Sequence, residues 1–420
     1  MTLRTPASSA SLLAALGSVV SLGAQAVFAV FLLKLFDATA VGQFSVLSQI
    51  AFCWATLALA QSPLSLLVNR HRSAHSAAAA AWGQSVLRLL WLSPWAALAL
   101  WWSHRQEADG AWACWPLAPW VAGIALLQMS WLLAQSLTLR QPVRAAVAWV
   151  RLLPPVLAAL LAWLGAGVLG TTDSVTLLGS ALLGYAAGAL WMLPALRASA
   201  ETSSAPQAAA EATEDARSTR LKLLHTLSDV AVSGLLAVQW QALYGSAEAG
   251  LLLVLLRVFG FIPGLVHTAW AQVLMSRGGA HHRASAATAL LACGVLGLMA
   301  LAIQTALHLG WLQDSWQGLN AYVWPLAVWQ MAASVMAAHT HLPFLHGRAA
   351  RFSWQCMGMN AALLVLLCLP LLAPVLGLTL AESAHQHLLL VCGFMALALL
   401  AQALDHGWGH RHPDPREHSH

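Results

Sequence analysis

Long apolar runs alternate with short polar breaks along almost the whole chain. Each run is long enough to cross a bilayer as a helix, which takes ~20 apolar residues. The pattern predicts about twelve spans, six on each side of a polar stretch at 197–222. We therefore expect an all-α polytopic membrane protein. The predicted spans are 9–33, 41–67, 79–102, 111–138, 144–169, 174–195, 223–244, 248–275, 285–310, 320–340, 354–379 and 385–405.

The composition supports a membrane protein and excludes an ordinary soluble domain. Of the 420 residues, 59% are hydrophobic and 8% are charged, whereas soluble domains carry about 25% charged residues. The 21 tryptophans fit a chain with many water–lipid boundaries. The six cysteines lie in or beside apolar runs without a CxxC pair, which favours neither a disulfide framework nor a zinc site. The basic residues are scattered through short loops, so we expect no nucleic-acid partner.

Basic residues are concentrated in alternate loops. The opposite loops hold only Lys34 and Arg105, together with several acids. Because basic loops stay on the cytoplasmic side, this alternation predicts an even number of spans, with both termini and the central stretch in the cytoplasm. The basic residues that follow spans two, four, six, eight and ten are Arg70, Arg72, Arg140, Arg144, Arg197, Arg217, Arg220, Lys222, Arg277, Arg283, Arg348 and Arg351.

The polar stretch divides the chain into two halves. We expect an N-terminal six-helix bundle at 1–196, a cytoplasmic linker at 197–222, a C-terminal six-helix bundle at 223–405 and a cytoplasmic His-rich tail at 406–420. The linker is rich in Ala, Ser, Glu and Thr and has no apolar face wide enough to pack, which is typical of a flexible or weakly helical segment.

One short motif occurs once in each half. Residues 35–42 read LFDATAVG and residues 243–250 read LYGSAEAG. Each copy has Leu before an aromatic residue, then a small or polar turn, then a glycine that opens a long apolar helix. Six predicted spans separate the copies, so the two halves have the same orientation and a pseudo-two-fold axis along the membrane normal relates them. Transporters built in this way hold substrate between the halves and alternate access by rocking.

These hairpins resemble those of the polysaccharide (O-antigen type) flippases, in the multidrug/oligosaccharidyl-lipid/polysaccharide exporter superfamily. LLKLFDATAVGQFSVLSQIAFCWATLALAQSPLSLLVNR looks like their opening, with an aromatic residue closely following Gly42 and a second helix closing on Arg70. ALYGSAEAGLLLVLLRVFGFIPGLVHTAW resembles their seventh and eighth helices. The remainder of the chain is similar in topology only, and it is compact for the group.

The resemblance implies a function and a location. A flippase of this kind moves an undecaprenyl-diphosphate-linked oligosaccharide, an O-antigen or exopolysaccharide repeat unit, from the inner to the outer leaflet of the bacterial inner membrane. The implied partners are this substrate, membrane lipids, a polysaccharide polymerase and a chain-length regulator.

A substrate with a diphosphate requires cations inside the membrane, preferably arginines. Arg88, Arg151 and Arg257 lie inside the third, fifth and eighth predicted spans. Arg88 and Arg257 are about 9–10 residues from a span end, which favours a substrate-binding role. Arg151 is only about two turns from its span end, so snorkelling to the membrane surface competes with binding.

Neutral polar groups and one acid complete the predicted site. Gln25 and Gln49 are expected to bind substrate hydroxyls, although helix–helix hydrogen bonds are the commoner use of such residues. Asp229 lies well within a span. This position indicates either pairing with an arginine or uptake of a proton or sodium ion that couples the transport cycle. The alternative is a shallow Asp satisfied by water, Lys222 or His225.

Two other functions remain open. A cation-coupled multidrug exporter of the same superfamily would want an acid within spans one to six, and none lies there. A membrane glycosyltransferase or O-antigen ligase needs paired acids or a large outer loop, but the outer loops are short. We therefore expect a transporter and not an enzyme, with no catalytic residue and no cofactor. The His-rich tail and the pair at 281–282 match no metal geometry, so we expect no metal site.

Overall fold

The computed structural model describes residues 21, 23–60, 62–68, 73–105, 111–140, 144–201, 216–267, 282–376 and 383–408. Within these ranges the chain is helical apart from turns, and no strand occurs. Three short 3₁₀ segments occur in these ranges, Ala111–Leu117, Leu190–Met192 and Asp314–Trp316. The α-helices are α1 (Gly23–Leu35), α2 (Ala38–Leu59), α3 (Ser62–Val68), α4 (Ala74–Ser103), α5 (Ala118–Arg140), α6 (Arg144–Gly167), α7 (Ser174–Ala189), α8 (Leu193–Glu201), α9 (Ala216–Leu265), α10 (His282–His308), α11 (Leu319–His339), α12 (His341–Leu345), α13 (Ala349–Leu376) and α14 (Ala384–Trp408).

The predicted all-α membrane architecture is confirmed. Nine helical segments in the described ranges are long and apolar enough to cross a membrane, and one of them, Leu223–Leu265, contains two helices joined at Gly245. Together with α1 and α4, these helices overlap the predicted spans one for one. The described part of the first span begins at residue 21, while most of the linker and nearly all of the tail lie outside the described residues.

The second predicted span is interrupted, which the apolar pattern did not predict. The run 41–67 forms α2 and the seven-residue helix α3 in place of one helix. The break lies at Ala60, which has a φ of 47° and is the one non-glycine residue with positive φ in the described ranges. Pro63 explains the position, because a proline has no N–H to donate to the carbonyl four residues earlier. That carbonyl belongs to Leu59, the last residue of α2.

The helices form two compact units. Unit 1 falls within Met1–Glu214 and Ser233–Gly250, and unit 2 falls within Asp215–Val232 and Leu251–His420. In unit 1, α2 packs against α4, α5 and α7, and α6 packs against α7. In unit 2, α11 packs against α10 and α14. The segment 233–250, which we call the α9 tip, belongs to unit 1, although it follows the polar stretch in sequence. The six-plus-six division of the chain stays a prediction.

The helix breaks at equivalent positions in the two copies of the repeated motif. Asp37 is a single extended residue between α1 and α2, with a ψ of 164°, and its carboxylate Oδ1 accepts a hydrogen bond from the amide of Ala40 at 2.7 Å. Gly245 occupies the equivalent place within α9 and has a ψ of 173°. The hairpins differ at φ, which is −79° at Asp37 and 86° at Gly245. Only the second hairpin therefore requires glycine.

Candidate functional site

One face of α2 carries polar side chains through the interior of unit 1. At 100° per residue, Ser45, Ser48, Gln49 and Thr56 fall on the same side of the helix. Ser45 is 4% exposed. The hydroxyl oxygens of Ser45, Ser48 and Thr56 are buried and have no hydrogen-bond partner among the described residues. All three unsatisfied hydroxyls lie on this one face of α2.

The predicted site residue Gln49 connects this face to the α9 tip. Its Nε2 donates a hydrogen bond to the Ser233 hydroxyl at 3.2 Å and lies 3.6 Å from the sulfur of Cys53. Cys53 in turn is close to Gly234, because a Cβ at Gly234 would lie 2.7 Å from its Sγ. Gln49 therefore makes a helix–helix hydrogen bond, the commoner use considered from the sequence.

The α9 tip is also tied to the end of α4. Trp102 donates its indole N–H to Oε1 of Gln239 at 2.9 Å, and Arg105 donates from Nε to the carbonyl of Ala242 at 3.4 Å. The guanidinium of Arg105 also lies 4.0 Å from the ring centroid of Trp102, a cation–π contact. Gln239 is 6% exposed, and its amide nitrogen has no partner among the described residues.

The unsatisfied hydroxyls and the Gln239 amide share one chemical property. They are neutral groups that donate and accept hydrogen bonds. A buried polar group without a partner is costly, and native structures normally satisfy such groups with water or a ligand. The interior of unit 1 is therefore suited to water or to a ligand rich in hydroxyl and amide groups.

Arg88 lies beside the break between α2 and α3. Its Nη1 is 3.5 Å from the carbonyl of Leu59 and 3.3 Å from the hydroxyl of Ser62. The guanidinium thus supplies the donor that Pro63 cannot, and it does so at the negative end of the α2 dipole. Arg88 is an exposed residue and makes no ion pair with a carboxylate of the described residues. It is a cation in the middle of a helix with donors left for an anion.

Two other predicted site residues meet through a serine. The hydroxyl of Ser21 donates to the backbone carbonyl of Arg151 at 3.3 Å, and Nε2 of Gln25 donates to the same hydroxyl at 3.5 Å. Gln25 and Arg151 thus lie close together where α1 meets α6, whereas Gln49 is bound to Ser233. Arg151 itself is half-buried.

The remaining predicted residues are in unit 2. Arg257 is half-buried in the part of α9 that follows Gly245. Asp229 lies nearer the start of α9, with its side chain 54% exposed. Its Oδ1 accepts a hydrogen bond from Nδ2 of Asn360 at 2.6 Å, and its Oδ2 is 3.4 Å from Nε2 of His225. No arginine of the described residues contacts Asp229.

Asn360 was missed by the sequence reasoning. It is 6% exposed, and the same Nδ2 also donates to the Ser228 hydroxyl at 3.0 Å. The available signal was an amide side chain inside the apolar run 354–379. Asn360 orients the Asp229 carboxylate, so that the acid and the amide form one oxygen-rich cluster on α9 and α13.

Metal chemistry finds no support within the described ranges. No group of three or more His, Cys, Asp or Glu side chains is placed there to hold a metal ion. The His-rich tail from residue 409 and His281 lie outside the described residues, so the expectation for them stays a prediction.

Comparisons with known proteins bear on the fold. The chain is similar to a structure of the lipid II flippase MurJ in an inward closed conformation, with a TM-score of 0.60, 9% sequence identity, and coverage of 94% of this chain and 87% of that one. It is also similar to a crystal structure of a MATE mutant, with a TM-score of 0.50, 11% identity and coverage of 96% of each chain. No protein-family model and no curated protein matches the sequence.

At these identities the likeness establishes the fold and no more. MurJ and MATE proteins belong to the exporter superfamily that the sequence resembles. The molecule therefore shares its all-helical fold with these two structures, and its long apolar helices are those of a multi-pass membrane protein.

Proposed function

We propose that the protein is a flippase that moves an undecaprenyl-diphosphate-linked oligosaccharide from the inner to the outer leaflet of the bacterial inner membrane by alternating access. The observation that carries this proposal is the polar face of α2, with buried hydroxyls of Ser45, Ser48 and Thr56 that lack partners in the described residues. A glycan presents hydroxyl and amide groups, which such a face recognises by neutral hydrogen bonds.

The charge of the membrane-spanning helices favours an anionic substrate. No Asp or Glu lies within predicted spans one to six, whereas Arg88 and Arg151 do. A cationic drug needs the opposite arrangement, because a buried cation is stabilised by a carboxylate. Neutral hydrogen-bonding groups together with arginines suit a sugar joined to a diphosphate. The charges of these helices therefore favour a flippase over a multidrug exporter.

Each predicted residue has a role in the proposal. Arg88 and Arg151 are substrate-binding cations on unit 1, and Arg257 is a substrate-binding cation on unit 2. Gln25 and Gln49 lie at helix contacts beside the substrate path. Asp229, oriented by Asn360 at 2.6 Å, takes up a proton or sodium ion that couples the cycle. The expected partners are the lipid-linked substrate, membrane lipids, a polysaccharide polymerase and a chain-length regulator.

The experiment that tests the function follows the substrate in cells. Deletion of the gene should cause lipid-linked repeat units to accumulate on the cytoplasmic side of the membrane, and the wild-type gene should restore their delivery. Normal outer-leaflet delivery in a deletion strain without another exporter would sink the proposal. Increased drug sensitivity with normal delivery would instead favour the multidrug exporter.

The same strain tests the residues. Arg88→Ala and Arg257→Ala should each reduce delivery, while Arg283→Ala serves as the matched control, since Arg283 is exposed near the start of α10. Full delivery by both variants, at normal protein levels, would remove these arginines from the mechanism.

A further inference from the structure

One exposed face of α4 carries an amide, a guanidinium and two indoles in a row. At 100° per residue, the four side chains leave the helix within about 60° of one another. At 1.5 Å per residue, they cover about 16 Å of its length. All four are exposed, and we call them the α4 face. The residues are Gln84, Arg88, Trp91 and Trp95.

This face is unlike one that meets only lipid. The middle of α10 shows the ordinary lipid-facing pattern, because its exposed side chains include Leu290, Leu291 and Leu298. Gln84 and Arg88, in contrast, carry N–H groups inside a spanning helix, and hydrocarbon offers them no acceptor. The α4 face is therefore suited to water or to a polar ligand.

The polar groups of this face have donors left for a ligand. Nη1 of Arg88 contacts the Leu59 carbonyl and the Ser62 hydroxyl, but Nε and Nη2 have no partner in the described part of the chain. The Gln84 amide makes no hydrogen bond to another described residue either. Two adjacent N–H groups on a planar guanidinium match two oxygens of a phosphate.

The two indoles of this face are also free. Trp91 is 78% exposed and Trp95 is 69% exposed, and neither donates its N–H to a described residue. Trp54, by contrast, donates its indole N–H to the carbonyl of Leu89 at 2.8 Å, across the contact between α2 and α4. Trp91 and Trp95 thus offer both a ring face and an N–H to an occupant of the α4 face.

A sugar ring has the complementary chemistry. One face of a pyranose presents C–H groups with a small positive charge, which pack against the negative face of an aromatic ring. The sugar hydroxyls lie around the edge of the ring and accept hydrogen bonds from indole and amide N–H groups. Stacking on an indole therefore removes the apolar face of the sugar from water and leaves its hydroxyls able to form hydrogen bonds.

We propose that Trp91 and Trp95 form a stacking site for the pyranose rings of a diphosphate-linked glycan, with a phosphate on Nε and Nη2 of Arg88. Arg88 and Trp91 are one turn apart, with about 4.5 Å of rise between them, so a phosphate and the sugar bonded to it reach both. Gln84 lies on the other side of Arg88 and donates to the second phosphate. The inference rests on the proposed function, because it assigns a place on unit 1 to the sugar part of the same substrate.

The order of these residues sets the direction of a bound substrate. The topology predicted from the basic loops puts the start of α4 in the cytoplasm, so Trp91 and Trp95 lie on the outer side of Arg88. A glycan stacked on them points toward the outer leaflet, while its diphosphate lies near the middle of α4. The sugar therefore leads and the phosphate follows during export.

Binding of two short-chain probes to the purified full-length protein in nanodiscs tests this site. One probe is citronellyl diphosphate, and the other is the same molecule with N-acetylglucosamine on its diphosphate. Isothermal titration calorimetry gives both dissociation constants. We expect the sugar-bearing probe to bind the wild-type protein about tenfold more tightly than the sugar-free probe.

Replacement of the indoles should remove this preference. Trp91→Ala and Trp95→Ala should each reduce the ratio of the two dissociation constants about threefold, and the double variant should bring it to about one. Trp91→Phe and Trp95→Phe should retain most of the preference, because phenylalanine keeps an aromatic face. Both positions are exposed, so these changes leave the packing of unit 1 intact.

Two matched variants separate sugar stacking from phosphate binding and from the loss of any exposed indole. Trp354→Ala removes an indole that is 64% exposed on α13, and the ratio should stay unchanged. Arg88→Gln should weaken both probes by the same factor, about tenfold, and should also leave their ratio unchanged.

The outcomes separate this inference from the proposed function. Equal affinity of the two probes for the wild type would overturn the stacking site, as would a ratio that Trp91→Ala and Trp95→Ala leave unchanged. A ratio lost equally in the Phe and Ala variants would overturn aromatic stacking.

The deletion strain completes the comparison. If the preference depends on both indoles while the deletion strain delivers repeat units normally, the sugar site stands and the flippase proposal fails. If deletion blocks delivery while the indoles have no effect on the ratio, the flippase proposal stands and the sugar site fails.

Discussion

Gly42 and Gly250 pack directly against each other, each at the start of the helix that follows its hairpin. A Cβ at Gly42 would overlap the carbonyl oxygen of Ser246, and a Cβ at Gly250 would overlap the carbonyl oxygen of Ala38. The amide nitrogen of Gly250 lies 2.8 Å from the Cβ position of Gly42, and the amide nitrogen of Gly42 lies 3.1 Å from the Cβ position of Gly250. Ala38 and Ser246 are equivalent positions of the repeated motif, so the contact is locally two-fold symmetric.

This contact predicts that a methyl group at either glycine is destabilising. Gly42→Ala should lower the free energy of unfolding by about 1–3 kcal/mol, because two backbones must separate to admit the side chain. The measurement is thermal unfolding of the purified protein. Gly83→Ala is the control, since Gly83 in α4 has open space around it. Equal stability of the two variants would show that the helices do not cross this closely.

The second glycine should respond in the same way. Gly250→Ala alone is expected to match Gly42→Ala, and the double variant should cost less than the sum of the two, because both side chains disrupt one contact. Strict additivity would contradict a shared contact.

Exchange between the two hairpins should be asymmetric. Gly245→Asp places a side chain at a φ of 86° and a ψ of 173°, a region essentially restricted to glycine that costs other residues of order 1–3 kcal/mol. Asp37→Gly loses only the cap on Ala40, with an expected cost of a few tenths of a kcal/mol. Thermal unfolding of the two exchanges compares them directly, and an Asp37→Gly variant that is the less stable would refute this account.

Replacements at Arg88 should separate charge from hydrogen bonding. Arg88→Gln keeps a donor for the Leu59 carbonyl and loses the charge, while Arg88→Lys keeps the charge. If Arg88 binds the diphosphate, Arg88→Gln reduces delivery about tenfold with little change in thermal stability, and Arg88→Lys retains more activity. If delivery of the repeat units falls only as much as thermal stability does, Arg88 stabilises the end of α2 and does not bind the diphosphate.

Asp173 should make the start of α7 sensitive to acid. Its Oδ1 accepts hydrogen bonds from the hydroxyl and the amide of Thr176, at 2.6 Å and 2.8 Å, which lower the pKa of this carboxyl below its ordinary value. Folding therefore favours the charged form. This contribution is complete above the unfolded pKa of about 3.9 and is lost as the pH falls through the lower folded value.

Two variants test that pH dependence. Asp173→Asn keeps a good N-cap without the titration, so its melting temperature should fall less than that of the wild type below about pH 4. Asp173→Ala should lose about 1 kcal/mol at neutral pH. Identical acid profiles for the wild type and Asp173→Asn would exclude Asp173 as the source.

The Asp229–Asn360 pair gives a prediction for coupling. Asp229→Asn removes the ionisable group, so delivery should lose its dependence on pH or on sodium while protein levels stay normal. Asn360→Ala should weaken the same dependence, because it removes the 2.6 Å hydrogen bond that orients the carboxylate. Asp314→Asn is the control, since Asp314 is exposed in a 3₁₀ turn. An unchanged ion dependence in Asp229→Asn would eliminate this acid from the cycle.

The length and spacing of the apolar runs were sufficient to predict the helices, because every spanning segment must satisfy its own backbone hydrogen bonds. The break in the second span was missed, although Pro63 marked it. A single proline barely changes the mean hydropathy of an apolar run. In the backbone, however, Pro63 has no N–H for the Leu59 carbonyl, which then needs another donor. Arg88 was predicted from the sequence to be an intramembrane cation, but its position opposite that carbonyl depends on packing between α2 and α4.

The contacts across the motif were equally hidden from the sequence. The repeat itself indicated two equivalent hairpins, and the structure breaks the helix at the equivalent residues Asp37 and Gly245, with a different φ at each. That Gly42 and Gly250 touch follows from the packing of distant segments, as does the contact between Asp229 and Asn360.

The α9 tip has a consequence for how the protein can be cut and reassembled. Since residues 233–250 belong to unit 1 while the polar stretch at 197–222 comes before them, a cleavage in that stretch leaves part of unit 1 on the C-terminal fragment. The two fragments then remain bound to each other through the Gln49–Ser233 and Trp102–Gln239 hydrogen bonds and through the backbone contact between Gly42 and Gly250. A gene split at the linker should therefore yield two polypeptides that co-purify. The N-terminal polypeptide expressed alone would lack residues 233–250, which pack against α2.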